Sequence, residues 1–181
     1  MDTLVVSLLG GPGIGKSTTA AGVFAMLKTR GVNAELVHEY AKDLTWERAH
    51  DKLRYQPYVT AKQMWAIERV RGKVDVIITD TSPLLAFVHG SVRYGATDAF
   101  FAWVIDAHKR LNTLDILLGR NAVIDYQPVG RRESVESAKS IDYSIKAVLD
   151  TYSLPYSEVA VSHFAGHISY ISDLVQDALN A

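Results

Sequence analysis

The chain has 181 residues, with 19 lysines and arginines against 20 aspartates and glutamates and a formal charge of −1. That length holds one domain of ordinary size, and an apolar share of 48% supports a packed core and excludes wholesale disorder. The charge balance excludes a protein that grips DNA mainly by bulk electrostatics, though not a local basic cleft, and the lack of cysteine excludes disulfides, zinc–thiolate sites, iron–sulfur clusters and thiol nucleophiles.

Short β-rich runs alternate with longer helical patterns. Leu4–Leu9 reads as a buried strand, too short for a signal sequence and preceded by Asp2 rather than a basic segment. No run reaches the ~18–20 apolar residues of a membrane span, so a soluble cytoplasmic protein is expected. Ser17–Arg30 reads as a helix with Ala20, Val23, Phe24 and Leu27 on one face, ended by Gly31. Ala34–His38 is a second strand. Residues 42–55 form a polar stretch in which Lys42, Arg48, Lys52 and Arg54 are interleaved with Asp43, Glu47 and Asp51. Pro57 opens a helix to about Arg71, Val74–Asp80 is the third strand, and Pro83 starts another helical stretch. Ala96–Leu111 is helical, Leu114–Leu118 is strand four, and Glu133–Tyr152 is the clearest amphipathic helix. Tyr156–Val161 is strand five and Ile168–Leu179 closes the chain as a helix. Strands separated by helices imply right-handed crossovers and a parallel α/β sheet covered on both faces, with ligands at the carboxyl ends of its strands.

The candidate site residues fall at those ends. Gly10-Gly11-Pro12-Gly13-Ile14-Gly15-Lys16-Ser17 fits G-x-x-x-x-G-K-[ST] in full, between a strand and a helix. Glycines let successive N–H groups point at phosphate oxygens, and the helix adds its N-terminal dipole. The loop from Gly11, Gly13, Ile14 and Gly15 to Lys16, Ser17 and Thr18 is therefore expected to bind a nucleoside triphosphate. In that reading Lys16 reaches the β- and γ-phosphates and Ser17 offers its hydroxyl to Mg²⁺. Asp80, at the end of strand three, is the second expected metal ligand; Asp75, at the other end of that strand, is assigned no chemistry. Glu39, after strand two, is placed to accept the proton of an attacking hydroxyl or to hold that hydroxyl in line. His38 is set aside, and Tyr40 is either a substrate wall or a packing residue. Arg131 and Arg132, after Gly130, are expected on a lid that neutralises transferring charge. Weaker candidates are Arg120 at the end of strand four, Gln63 as a partner for a base, and the Ser162–Ala165 segment as an adenine site. Trp65, Arg69 and Arg71 share the helix of Gln63.

The order GGPGIGKST, HEYAKD, QPYVTAKQ, DVIITDTS and DILLGR, followed by Asp125 and Arg131, resembles the ribosylnicotinamide kinase domain of the NadR type and related small P-loop kinases often encoded by bacteriophages. The resemblance spans nearly the whole chain. It implies a five-stranded core of order 2-3-1-4-5 and γ-phosphoryl transfer from ATP, with Mg²⁺, to a hydroxyl of a nucleoside- or nucleotide-like acceptor. It also implies a lid near residues 125–135 that carries Asp125 and Arg131, and matches Lys16, Glu39 and Asp80 to family positions; with Arg131 or Arg132 closing over the phosphoryl group, the expected catalytic set is Lys16, Glu39, Asp80, Arg131 and Arg132. Thr81 stands where deoxynucleoside kinases usually carry arginine, which sets the chain apart from them. Some phage enzymes of the group phosphorylate a hydroxymethyl pyrimidine within DNA, so modified DNA is the alternative acceptor; the acids among the 42–55 cations favour a solvated helix face over a strand-tracking surface. A reading from another class is a nucleotide-dependent switch or ATPase that works through a partner.

Overall fold

A computed structural model describes residues 2–90, 92–120, 135–161 and 164–180. Five strands, β1 (Leu4–Leu9), β2 (Ala34–Val37), β3 (Val76–Thr79), β4 (Asn112–Gly119) and β5 (Ser157–Ala160), form one sheet of order β2-β3-β1-β4-β5. Every pairing is parallel. Leu4 stands opposite Val76 on one side and Asn112 on the other; the central strand pairs with β4 from Leu4 to Leu9 and with β3 from Leu4 to Ser7.

The helices lie on both faces, and β1 shows why. Leu4, Val6 and Leu8 point to one side, where they pack with Val23 and Leu27 of α1 (Lys16–Thr29) and Ile171 and Val175 of α8 (Phe164–Asn180). Val5 and Leu9 point to the other side. There Val5 meets Met64 and Ile67 of α4 (Gln56–Glu68), while Leu9 meets Val104 of α6 (Asp98–Lys109) and Ile145 and Leu149 of α7 (Val135–Thr151). A strand buried on both faces has no solvent side on which polar residues alternate, hence a run that is apolar except for the small, buried Ser7. Two buried polar pairs join neighbouring elements: Thr19 Oγ1 of α1 lies 2.9 Å from His167 Nε2 of α8 on the same face, and His108 Nε2 of α6 lies 2.8 Å from Asp115 Oδ2 of β4, linking helix to sheet.

Most expected elements are present, with their ends displaced by a few residues. The stretch after Pro83 is a 3-10 turn (Pro83–Leu85) followed by one turn of helix, α5 (Ala86–His89). Helix α6 starts at Asp98 rather than Ala96, because the Thr97 hydroxyl caps it by accepting the Phe100 N–H at 3.3 Å. The polar stretch folds into two short helices, α2 (Tyr40–Trp46) and α3 (His50–Arg54). Leu44 is the one fully buried residue of the pair, so no apolar stripe announced them. No helix among the described residues is long and apolar enough to cross a membrane.

Gly22 marks where α1 and α8 touch: a Cβ there would run into the Ile168 side chain. Gly22→Leu is expected to destabilise the fold by ~1–3 kcal/mol through overpacking, read as a lower Tm in thermal unfolding.

Candidate nucleotide and acceptor site

The loop between β1 and α1 takes its shape from glycine. Gly13 and Gly15 adopt φ of 84° and 96°, left-handed values that a side chain disfavours. No side chain caps α1, and the first ladder bond at its start runs from the Thr19 N–H to the Gly15 carbonyl at 2.8 Å. The N–H groups of Lys16, Ser17 and Thr18 thus lack intrahelical acceptors, and the positive end of the helix dipole lies with them. Such a helix start is a candidate anion site built from backbone.

Lys16 is half-buried over the loop, and its Nζ donates to the Gly10 carbonyl at 2.7 Å and the Gly11 carbonyl at 3.2 Å. Burial pushes its pKa below the ordinary 10.5; the carboxylates of Glu39, Asp80 and Asp142 work against that shift, and Arg120 works with it. The charged form is the one that binds phosphate. Affinity for a triphosphate is therefore expected to weaken on the alkaline side at a lower pH than an unperturbed lysine would impose, measurable as Kd against pH.

Asp80 is 1% exposed. Its Oδ2 accepts from Ser17 Oγ at 2.5 Å and its Oδ1 accepts the backbone N–H of Glu39 at 2.8 Å. The hydroxyl and carboxylate expected to share a metal are thus brought together. Among the described residues no group of three His, Cys, Asp or Glu side chains could hold a metal ion. A pair of hard oxygens beside a phosphate loop suits Mg²⁺, which takes one or two protein oxygens and completes its shell with phosphate oxygens and water. Asp75 sits at the opposite end of β3, where its carbonyl accepts the Leu4 N–H.

Gly11 departs from its expected role. Its N–H donates to Asp142 Oδ1 of α7 at 2.5 Å rather than remaining for phosphate. A Cβ at Gly11 would lie 2.5 Å from the Ala138 carbonyl oxygen, so glycine is needed there for the close approach of α7. Arg120, at the end of β4, completes this brace: Nε donates to Asp142 Oδ2 at 2.5 Å and an Nη donates to the Pro12 carbonyl at 2.7 Å. Asp142 was not recognisable in the sequence, because nothing local distinguishes it from the other polar positions of an amphipathic helix. Asp142→Ala removes the acceptor of two bonds, each worth ~1.5–3 kcal/mol when a charged group takes part. Nucleotide affinity is expected to fall at least roughly tenfold by calorimetry.

A single cavity of about 500 Å³ joins the loop to the helices beyond it. Gly13, Gly15, Lys16, Ser17 and Thr18 line one end, and Glu39 lines it too. Lys42 of α2, Arg54 of α3, Gln63 of α4 and His89 of α5 lie on the far walls. Gln63, weighed in the sequence as a partner for a base, is 4% exposed and bonds to the backbone of residues 38 and 40. Tyr40 packs rather than lining the cavity: its ring meets Tyr58 edge-on at 5.9 Å, and their hydroxyls lie 2.8 Å apart. That hydrogen bond, with some burial, raises the Tyr40 phenol to about 12. His38 is exposed, Trp65 and Arg69 face solvent, and Arg71 pairs with Glu68 at 2.9 Å, so none of these four joins the site. Asp125, Gly130, Arg131, Arg132, Ser162 and His163 lie outside the described residues; Ala165 is an exposed residue in the first turn of α8.

The sheet order and the strand–loop–helix at its centre define a P-loop nucleotide-binding domain, a class that binds ATP or GTP with Mg²⁺. More specifically, the chain belongs to the AAA domain family, whose sequence model matches residues 5–165, from β1 to the first turn of α8. No curated protein matches the chain.

Proposed function

We propose that the protein is an ATP- and Mg²⁺-dependent kinase that transfers the γ-phosphate to a hydroxyl of a nucleoside-like acceptor. The observation that carries this reading is the continuity of the cavity: about 500 Å³ runs from the phosphate loop past Glu39 to the walls of α2, α3 and α4. That space accommodates a second organic substrate, whereas hydrolysis needs room only for water. The resemblance to NadR-type and phage P-loop kinases supports the same reading.

In this mechanism the acceptor oxygen bonds to the γ-phosphorus while the bond from that phosphorus to the β,γ-bridging oxygen breaks, leaving ADP. Glu39 takes the proton that the acceptor hydroxyl loses, or holds that hydroxyl in line. Lys16 and the first amides of α1 hold the β- and γ-phosphates, where charge develops during transfer. Ser17 and Asp80 hold Mg²⁺, which when bound neutralises phosphate charge and orients the triphosphate. In this reading Arg131 or Arg132 supplies charge to the transferring group, and the segment near 125–135 serves as the lid. The nucleobase lies toward the segment after β5.

A second acceptor class is favoured by one feature. Lys42 and Arg54 are exposed at the cavity wall, and among the described residues Arg54 makes one ion-pair contact, at 3.8 Å with the exposed Asp51. Cations there suit an acceptor that already carries phosphate, such as a hydroxymethyl pyrimidine within DNA. Binding of a modified oligonucleotide that weakens steeply with salt favours the polymer; turnover of free nucleosides without such binding favours the small acceptor.

The test is incubation with ATP, Mg²⁺ and a pool of nucleosides, nucleotides and modified oligonucleotides, read by mass spectrometry for gain of a phosphoryl group. Lys16→Ala is expected to abolish the product. Glu39→Gln is expected to lower kcat by ~10²–10⁴-fold while ATP still binds. ATP consumption that is the same with and without every acceptor overturns the kinase reading and supports an ATPase or switch acting through a partner.

A further inference from the structure

Glu39 stands on a short turn between β2 and α2, and a turn does not by itself hold a side chain to the precision that proton transfer demands. The backbone on either side of it is fixed by one buried amide. Gln63 Oε1 accepts the Tyr40 N–H at 2.9 Å, and Gln63 Nε2 donates to the His38 carbonyl at 3.3 Å. The N–H of Glu39 itself goes to Asp80 Oδ1 at 2.8 Å. Polar groups of three consecutive residues are thus held by two side chains, one from the end of β3 and one from α4. The backbone dictates which way the amide faces: the opposite orientation would set N–H against N–H at Tyr40 and oxygen against oxygen at His38.

We propose that Gln63 is a positioning residue that sets where the Glu39 carboxylate stands in the cavity, and that it does not read the acceptor. Gln63 lines the cavity, but turning its amide toward a ligand breaks both bonds to the turn. The two bonds also tie Glu39 to α4, whose Met64 and Ile67 pack against β1 and β3 through Val5 and Ile77. The placement of the carboxylate is thereby referred to the rigid sheet. The inference rests on the reading of Glu39 as the acceptor-side base.

The experiment uses Gln63→Glu and Gln63→Met, each alone and combined with Glu39→Gln. Gln63→Glu keeps size and the oxygen that serves Tyr40 but loses the donor to His38; Gln63→Met keeps bulk and loses both. In an otherwise unaltered chain kcat is expected to fall at least roughly tenfold, since small misplacements of a catalytic group are costly, while the acceptor KM and the ATP Kd stay within about threefold. In the Glu39→Gln background the same changes should alter kcat by less than about twofold, because groups that act as a unit are not additive. Hydrogen exchange at the Tyr40 amide should quicken in Gln63→Met whether or not the chain phosphorylates anything, and Gln63→Glu carries the kinetic test should Gln63→Met fold poorly. Loss of acceptor selectivity with kcat retained would mean that Gln63 reads the acceptor, and equal losses in both backgrounds would mean a structural role; either result overturns the proposal. Unchanged exchange at Tyr40 removes the clamp and leaves the kinase reading intact. Full activity of Glu39→Gln removes the assigned role of Glu39 and the proposal with it.

Discussion

The site depends on the burial of a single carboxylate. Asp80 has lost nearly all contact with water, and a charge in that position must find donors or be expelled. It finds them in the Ser17 hydroxyl and the Glu39 amide, which belong to two different crossovers. The sheet order makes this possible. β3 lies between β1 and β2, so the loops that leave its two neighbours close over its end. The start of α1 and the turn after β2 share one pair of oxygens, and the geometry of each limits that of the other.

On the opposite flank of β1 the phosphate loop is braced by a different device. β4 delivers Arg120, α7 delivers Asp142, and together they take the Pro12 carbonyl and the Gly11 amide. The first part of the loop is thereby committed to structure, and the amides left without an acceptor in the helix are those at the start of α1. A loop with many backbone groups turned inward holds its shape only if its outer face is bonded elsewhere. Here that outer face is bonded to the α7 side of the sheet.

What the sequence disclosed follows from the range over which its patterns act. The loop motif is contiguous, and the central strands β1 and β3 are largely apolar runs bounded by turns, so the order of elements and the placement of Lys16, Ser17, Glu39 and Asp80 near strand ends were legible. The strand order was accessible only through family resemblance. Contacts between distant segments left no trace. Gly11 and Asp142 are 131 positions apart, and Tyr40 and Gln63 are 23 apart; no periodicity links them. Glutamine on a helix reads as surface, and Gln63 is buried only because the turn after β2 offers it one donor and one acceptor. Helices α2 and α3 were unreadable for the opposite reason: they bury too little to impose a pattern.

That thinness has an evolutionary consequence. Between Tyr40 and Tyr55, Leu44 is the single side chain sunk fully into the protein, so this wall of the cavity is held by one apolar peg, the turn at residue 39 and the Tyr40–Tyr58 contact. Substitutions across its outer positions reshape what enters the chamber while costing the sheet almost nothing. The choice of guest can therefore change through this flap alone, with the loop between β1 and α1 left as it is.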